Sequence, residues 1–255
     1  MARTVQLDGV EVPAPVTPER RARTEALLLL EPARLAINSW RLVARRAPVR
    51  RTVMVLPGRG GNDATTAPLR AYLRSLGHDV HGWGLGVHRG EVPHNVTLLK
   101  RRLGALREAH DRPVALVGWS LGGIVARELA RHEAERVSHV ITMGAPVVGG
   151  AKYTALASTY RARGVDLDEV ELELARRARL ADHIAVTSIF SKLDGVVSWP
   201  ACIDRANPQA EHVEVVATHL SLGYHHEVWR AVAERLARPH VLDPREASEG
   251  TDADA

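Results

Sequence analysis

A single cysteine and a single phenylalanine occur in 255 residues. With only Cys202 present, no disulfide can form within the chain, so a packed core must hold the fold, and a reducing compartment is the simpler setting. Long apolar runs are also missing: nothing approaches the roughly 18 consecutive apolar residues of a membrane span. Met1 to Pro18 contains no apolar h-region of the kind a signal peptide needs. A cytoplasmic protein is therefore the expectation. Lysine is scarce as well, at Lys100, Lys152 and Lys192 alone among 34 basic residues. There is no Cys-x-x-Cys pair, no Walker-type phosphate loop, no internal repeat and no low-complexity tract.

What is present suits one large α/β domain, or such a domain with a small insertion. Apolar residues at 45% and charged residues at 25% are ordinary for a globular protein. The excess of positive charge, +4 overall, is unevenly spread. Residues 19–51 hold nine arginines against three glutamates, whereas residues 241–255 hold five acids against one arginine. A basic segment raises the question of nucleic acid. No aromatic residues interleave with the arginines in the manner of a base-stacking surface and no RNP-like motif exists, so no nucleic-acid partner is expected.

Read in order, Thr4 to Val12 alternates loosely like an edge strand, and Pro13, Pro15 and Pro18 form a stiff connector. Glu19 to Arg46 has helical composition interrupted by Pro32, giving two helices. The second carries Ile37, Trp40 and Ala44 on one side between arginines, a face that packs on its own domain or, less favoured, meets a membrane surface or acts as a lid. Residues 1–50 are thus an N-terminal helical extension. Arg51 to Leu56 reads as a buried strand, Ala64 to Leu76 as a helix, and Asp79 to Trp83 as the next strand. Asn95 to His110 is a helix with Leu98, Leu99, Leu103 and Leu106 as its buried stripe. Strands follow at Val114–Val117, Val137–Met143, Ile184–Phe190 and Val213–Val216, with a last helix from Glu227 to Ala237. Alternating strands and helices predict a mostly parallel central sheet with helices on both faces, its site at the carboxyl ends of the strands. Residues 51–149 and 183–238 form that core. Residues 150–182 break the alternation, with leucines diluted by charge around Gly164, and form a small helical cap insertion or an ordinary long crossover. Residues 239–255 read as a disordered acidic tail.

One stretch carries chemistry. Val114 to Val117 ends abruptly in Gly118-Trp119-Ser120-Leu121-Gly122, and a helical pattern with Ile124, Val125, Leu129 and Ala130 starts at once. A serine at the apex of a strand–turn–helix needs neighbours without side chains two residues away, which Gly118 and Gly122 supply. The spacing alone is weak evidence; its context is what counts. Asp194 and His219 follow in chain order, each past the end of an expected strand. A serine hydroxyl becomes a nucleophile when an imidazole takes its proton, and a carboxylate on the other ring nitrogen fixes that imidazole. In this ordered set the chain resembles the α/β-hydrolase fold family, and within it the lipase-like and esterase-like members. Leu193-Asp194-Gly195-Val196-Val197 is similar to the family's acid loop and Thr218-His219-Leu220 to its histidine loop. Gly144-Ala145-Pro146 is similar to the Gly-Ser-Pro or Gly-Ala-Pro segment of many lipase-like members.

The resemblance covers most of residues 50–238 and implies an oxyanion hole made by the amide of Leu121 and one from Pro57-Gly58-Arg59, with Arg59 the first choice and Gly60 the fallback. A charged residue at position 59 departs from the apolar residue many members carry; it admits an anionic substrate or points to solvent. Gly-Arg-Gly-Gly lacks the third glycine of a dinucleotide fingerprint. Trp83, Trp119 and Trp199 each follow a strand end and are candidate substrate-binding walls, with core packing the plainer role. Among competing residues, Asp182 precedes its strand and Asp204 lies ten residues beyond the acid turn. His225 and His226 begin a helix facing different ways, and His78 and His81 flank a strand with no third metal ligand evident. The implied activity is a serine hydrolase cleaving carboxylic esters of short to medium acyl length, with a small-molecule substrate and neither cofactor nor metal. An acyltransferase or thioesterase using the same residues, a true lipase, and an inactive binding scaffold are the alternatives.

Overall fold

Successive residues of a strand leave a sheet on opposite sides, and in this chain both sides of the central strands are apolar. A computed structural model describes residues 2–5, 12–16, 42 and 47–240. Among these, seven strands form one sheet. They are β1 (Arg3–Val5), β2 (Thr52–Leu56), β3 (Asp79–Gly82), β4 (Val114–Trp119), β5 (Val137–Met143), β6 (Ala185–Phe190) and β7 (Glu211–Glu214). Their spatial order is β1-β7-β6-β5-β4-β2-β3. All neighbours run parallel except β1, which pairs antiparallel with β7.

Val53, Val55, Ala115, Val117 and Ile141 face one layer, formed by α1 (Asp63–Ser75) and α6 (His226–Leu236). Met54, Leu56, Leu116 and Val140 face the other, formed by α2 (Val92–His110) and α3 (Leu121–His132). Strands Thr52–Leu56, Val114–Trp119 and Val137–Met143 are buried along their whole length. Parallel strands joined by helices put every β-to-α turn at one edge of the sheet, which is where the turns after β2, β4, β5 and β6 gather. The chain has the α/β-hydrolase fold.

Several boundaries differ from those the sequence pattern suggests. Helix α2 starts at Val92, because Pro93 in the first turn costs no hydrogen bond. Its buried stripe runs through Asn95, Val96, Leu99 and Leu103, while Leu98, about 100° round the helix, is exposed. The last strand ends at Glu214, and Val216 beyond it is exposed. The N-terminal strand is the short Arg3–Val5. The helices expected over residues 19–46, including Ile37 and Trp40, lie outside the described residues apart from Leu42, as does the acidic stretch 241–255. No described helix is long and apolar enough to cross a membrane.

Between β5 and β6 the chain forms α4 (Ala157–Ala162) and α5 (Leu167–Arg176), separated by Gly164 at φ +78°. The segment returns to the sheet through a buried polar knot. Arg127 of α3 is paired with Asp204 and also donates to the Ala178 carbonyl at 2.7 Å. Asn207 donates to Asp204 at 2.9 Å, and its own carbonyl accepts from the Leu180 N–H at 2.7 Å. Both charges are nearly fully buried, so removing one strands the other in a low dielectric. Asp204→Ala is expected to destabilise the fold by about 3–5 kcal/mol in urea unfolding; a change under about 1 kcal/mol would show that the knot is not structural.

Candidate active site

The turn after β4 is sterically over-determined. Ser120 holds φ 53° and ψ −121°, a conformation that side-chain-bearing residues rarely adopt. A Cβ on Gly118 would lie 2.4 Å from the Gly122 carbonyl oxygen, and one on Gly122 would lie 2.5 Å from the oxygens of Leu56 and Pro57. A Cβ on Gly123 would meet the Ala145 side chain at 2.6 Å. Only glycine fits at all three. The Ser120 N–H donates to Met143 at 2.8 Å, tying the turn to β5, and the Ser120 carbonyl accepts from Gly123 at 2.9 Å.

Ser120, His219 and Asp194, distant in sequence, meet here. His219 Nε2 lies 3.0 Å from Ser120 Oγ, and its Nδ1 lies 2.7 Å from Asp194 Oδ2. The other carboxylate oxygen accepts from the N–H groups of Val196 and Val197 at 2.8 and 2.7 Å. A carboxylate facing Nδ1 keeps the proton there and leaves Nε2 bare toward the serine. Asp194 and His219 are both buried. The backbone that carries the ring is also held, since Trp119 Nε1 donates to the His219 carbonyl at 3.2 Å. Gly144, at φ +57°, closes the arrangement: a Cβ there would stand 3.1 Å from Asp194 Oδ2 and 3.3 Å from His219 Nδ1. That crowding is the physical content of the Gly-Ala-Pro segment.

The loop after β2 packs on the serine, with an added Cβ at Gly58 only 3.3 Å from the Ser120 Cβ. The Gly60 N–H is already bonded to the His88 carbonyl at 2.9 Å, which removes it as an oxyanion donor. Among the described residues, the N–H groups of Arg59 and Leu121 meet no backbone carbonyl, and Leu121 is the first residue of α3, where the helix end carries partial positive charge.

His88 is not singled out by the sequence. Its N–H donates to Gly61 at 2.8 Å while its carbonyl accepts from Gly60, so residue 88 grips the loop from both sides. The ring is fully buried, stacks on Trp83 at 4.7 Å, and accepts from the Gly90 N–H at 3.2 Å. Burial, with Arg59 nearby, lowers its pKa to about 4. An isolated histidine between strands has no periodic or motif signature, so only tertiary contact identifies it.

A cavity of about 500 Å³ opens beside Ser120, within the range of small-molecule sites. Its floor is Val92 and Val96 of α2 with Leu121 and Ile124 of α3, and its roof is Leu156, Tyr160, Leu167 and Leu174 from the segment between β5 and β6. Arg59 reaches across to this roof, donating to Tyr160 Oη at 2.9 Å. The three tryptophans do not line it. Trp83 is sealed in the core with Nε1 on the Gly86 carbonyl at 2.9 Å, Trp119 lies behind His219, and Trp199 stacks on Phe190 at 5.6 Å. A tryptophan after a parallel strand can point into either helix layer as easily as into the site, which is why sequence position misleads here. Of the competing residues, Asp204 belongs to the buried knot and Asp182 pairs with Arg179 at the surface. His78 accepts from the Arg51 N–H at 3.2 Å, and its pKa is lowered to about 4 by burial and Arg51. His81 does have further ligand-type neighbours, Asp79 and His110.

At the level of sequence no family model and no curated protein matches the chain. Solved structures do match in fold. A lipase of Bacillus licheniformis, BlEst2 in its mature form, superimposes with a TM-score of 0.59 at 15% identity, over 76% of this chain and 95% of that one. A pyrethroid hydrolase of Sphingobium faniae gives 0.54 at 19% identity, covering 75% of this chain and 99% of its own. One of the metagenome-derived lipolytic enzymes LipS and LipT gives 0.55 at 16% identity over 74% and 93% of the two chains.

Buried imidazoles set a pH dependence of stability, and His78 and His88 are two of them. Unfolded histidine takes up its proton near pH 6.5, whereas His78 and His88 do so near 4 in the fold. Between these values the unfolded chain binds more protons, so stability is full above about 6.5 and is lost as pH falls toward 4. Thermal melts from about pH 7.5 to about 4.5 are expected to fall steadily, and His88→Gln to flatten the slope; an equal slope in the variant would place the titration elsewhere.

Proposed function

We propose that the protein is a serine hydrolase that cleaves carboxylic esters of short to medium acyl length through an acyl-enzyme. The observation that carries this is the continuous path Asp194–His219–Ser120, with contacts of 2.7 and 3.0 Å, opening onto an apolar cavity. Ser120 Oγ attacks the ester carbonyl carbon while its proton passes to His219 Nε2, and Asp194 stabilises the imidazolium. Charge developing on the carbonyl oxygen meets the amides of Leu121 and Arg59, an arrangement worth roughly 3–4 kcal/mol per donor in such sites. His219 then protonates the departing alcohol. Water, deprotonated by the same ring, releases the acid and restores the serine.

Residues 150–182 act as a cap, held at one end by the Arg127–Asp204–Asn207 knot and at the other by Arg59 on Tyr160. The knot is buried, and a cap tied to the body in this way favours an esterase over an interfacially activated lipase. The aliphatic floor and roof suit an acyl chain. Neighbours named as lipase, lipolytic enzyme and pyrethroid hydrolase support ester cleavage by analogy of fold.

A panel of p-nitrophenyl esters of increasing acyl length tests this. Rates are expected to saturate smoothly, with the best kcat/KM on short to medium chains; an abrupt rise once a substrate passes its solubility limit would make the protein a lipase. In the same assay Asp194→Asn is expected to lower kcat by about 10⁴-fold, by leaving His219 in the wrong tautomer. A larger loss from Asp204→Asn, measured on folded protein, would move the acid to that residue.

A further inference from the structure

Asp79 and His81 lie two residues apart on β3, so both side chains stand on one face of the sheet's free edge strand. His110, the last residue of α2, meets them there. Both rings converge on one carboxylate oxygen: His81 Nε2 and His110 Nε2 each lie 2.8 Å from Asp79 Oδ2. The three potential ligand atoms lie within 4.8 Å of one another. The rings are 5.9 Å apart and inclined at 51°, so they approach the carboxylate from different directions and do not stack.

We propose that Asp79, His81 and His110 bind a divalent transition-metal ion of the Zn²⁺ class. Two imidazole nitrogens and one carboxylate oxygen form a donor set suited to Zn²⁺, Ni²⁺ or Cu²⁺, whereas Mg²⁺ and Ca²⁺ require mostly oxygen ligands. Tetrahedral Zn²⁺ with bonds of about 2.0–2.1 Å separates its ligands by roughly 3.3 Å. The two nitrogen-to-oxygen pairs at 2.8 Å lie just inside that spacing and all three atoms lie within 4.8 Å of one another, so rotation of three partly exposed side chains has to bring them to it. Their side-chain exposures of 27%, 26% and 34% leave room for the ion to enter and for water to fill the fourth position.

The ion would close a cross-link between two elements that otherwise meet weakly. Among the described residues strand β3 has one strand neighbour, β2, and α2 ends at His110 before a left-handed residue, Asp111, at φ 47°. Binding here pins the carboxyl end of α2 to the sheet edge, while the opposite end of the same helix, at Val92 and Val96, floors the cavity. The site is separate from Ser120 and takes no part in the ester chemistry; the ion is a staple that adds stability by mass action.

Chelator-treated full-length protein titrated with ZnCl₂ by calorimetry, with Co²⁺ absorption as a reporter of four-coordinate geometry, tests the assignment. The wild type is expected to bind one equivalent, to show the visible bands of tetrahedral cobalt, and to melt at a higher temperature with Zn²⁺ present. His81→Gln and His110→Gln should each weaken binding by about 100-fold or more, since even partners behind the ligands are worth 10–100-fold. Metal-free melts of the variants check their folding, and either variant alone suffices to decide. Ser120→Ala should bind Zn²⁺ as the wild type does. Absence of stoichiometric binding, or wild-type affinity in the folded variants, would overturn the proposal and assign any uptake to other imidazoles.

Discussion

A serine is held at positive φ between carbonyl oxygens that leave no room for a side chain on either flank, and the rest of the site depends on this steric constraint. Such a backbone costs of order 1–3 kcal/mol and persists only where the surroundings over-determine it. Here the surroundings are the ends of three adjacent parallel strands: Leu56 and Pro57 at the end of β2, Met143 and Ala145 at the end of β5, and β4 itself between them. A different strand order would leave Gly122 and Gly123 without the neighbours that exclude a Cβ. The same geometry lifts Ser120 Oγ above the sheet, where loops after β6 and β7 bring Asp194 and His219 to it.

From that turn outward, several polar groups in the core have a structural or a positioning task. The Asp194 carboxylate is divided between His219 and two backbone N–H groups, so its ring partner is held in one orientation. The loop carrying the Arg59 amide is gripped by the backbone of His88, whose ring stays neutral over the pH range in which an imidazole base operates. Another buried carboxylate, Asp204, is committed to Arg127 and Asn207. Two carboxylates of similar burial thus separate cleanly by their partners: one faces an imidazole beside a serine, the other a guanidinium.

Much of this arrangement is legible in local sequence pattern. Contiguous valines and leucines mark strands buried on both faces, and the glycines around Ser120 mark a turn too tight for side chains. The order of Ser120, Asp194 and His219 points to one edge of a parallel sheet. What is not legible depends on tertiary contact. Leu98 looks equivalent to Leu99 by composition, yet the helix turns it to solvent. The tryptophans after strands look like pocket walls, but Trp83 and Trp199 find partners in His88 and Phe190, and aliphatic residues of three helices, with Leu156 and Tyr160, take the cavity instead. His81 shows no third ligand in the sequence because His110 lies 29 positions away, at the far end of another element.

Fluorophosphonate labelling followed by peptide mapping tests the central assignment most directly, because it reads the reactivity of one hydroxyl and needs no knowledge of the substrate. A single adduct on the peptide carrying Ser120, not formed when the protein is heat-denatured before labelling and absent from folded Ser120→Ala, is the result expected of a serine activated by His219. Labelling that persists in Ser120→Ala, or a folded wild type that takes up no label, would contradict it.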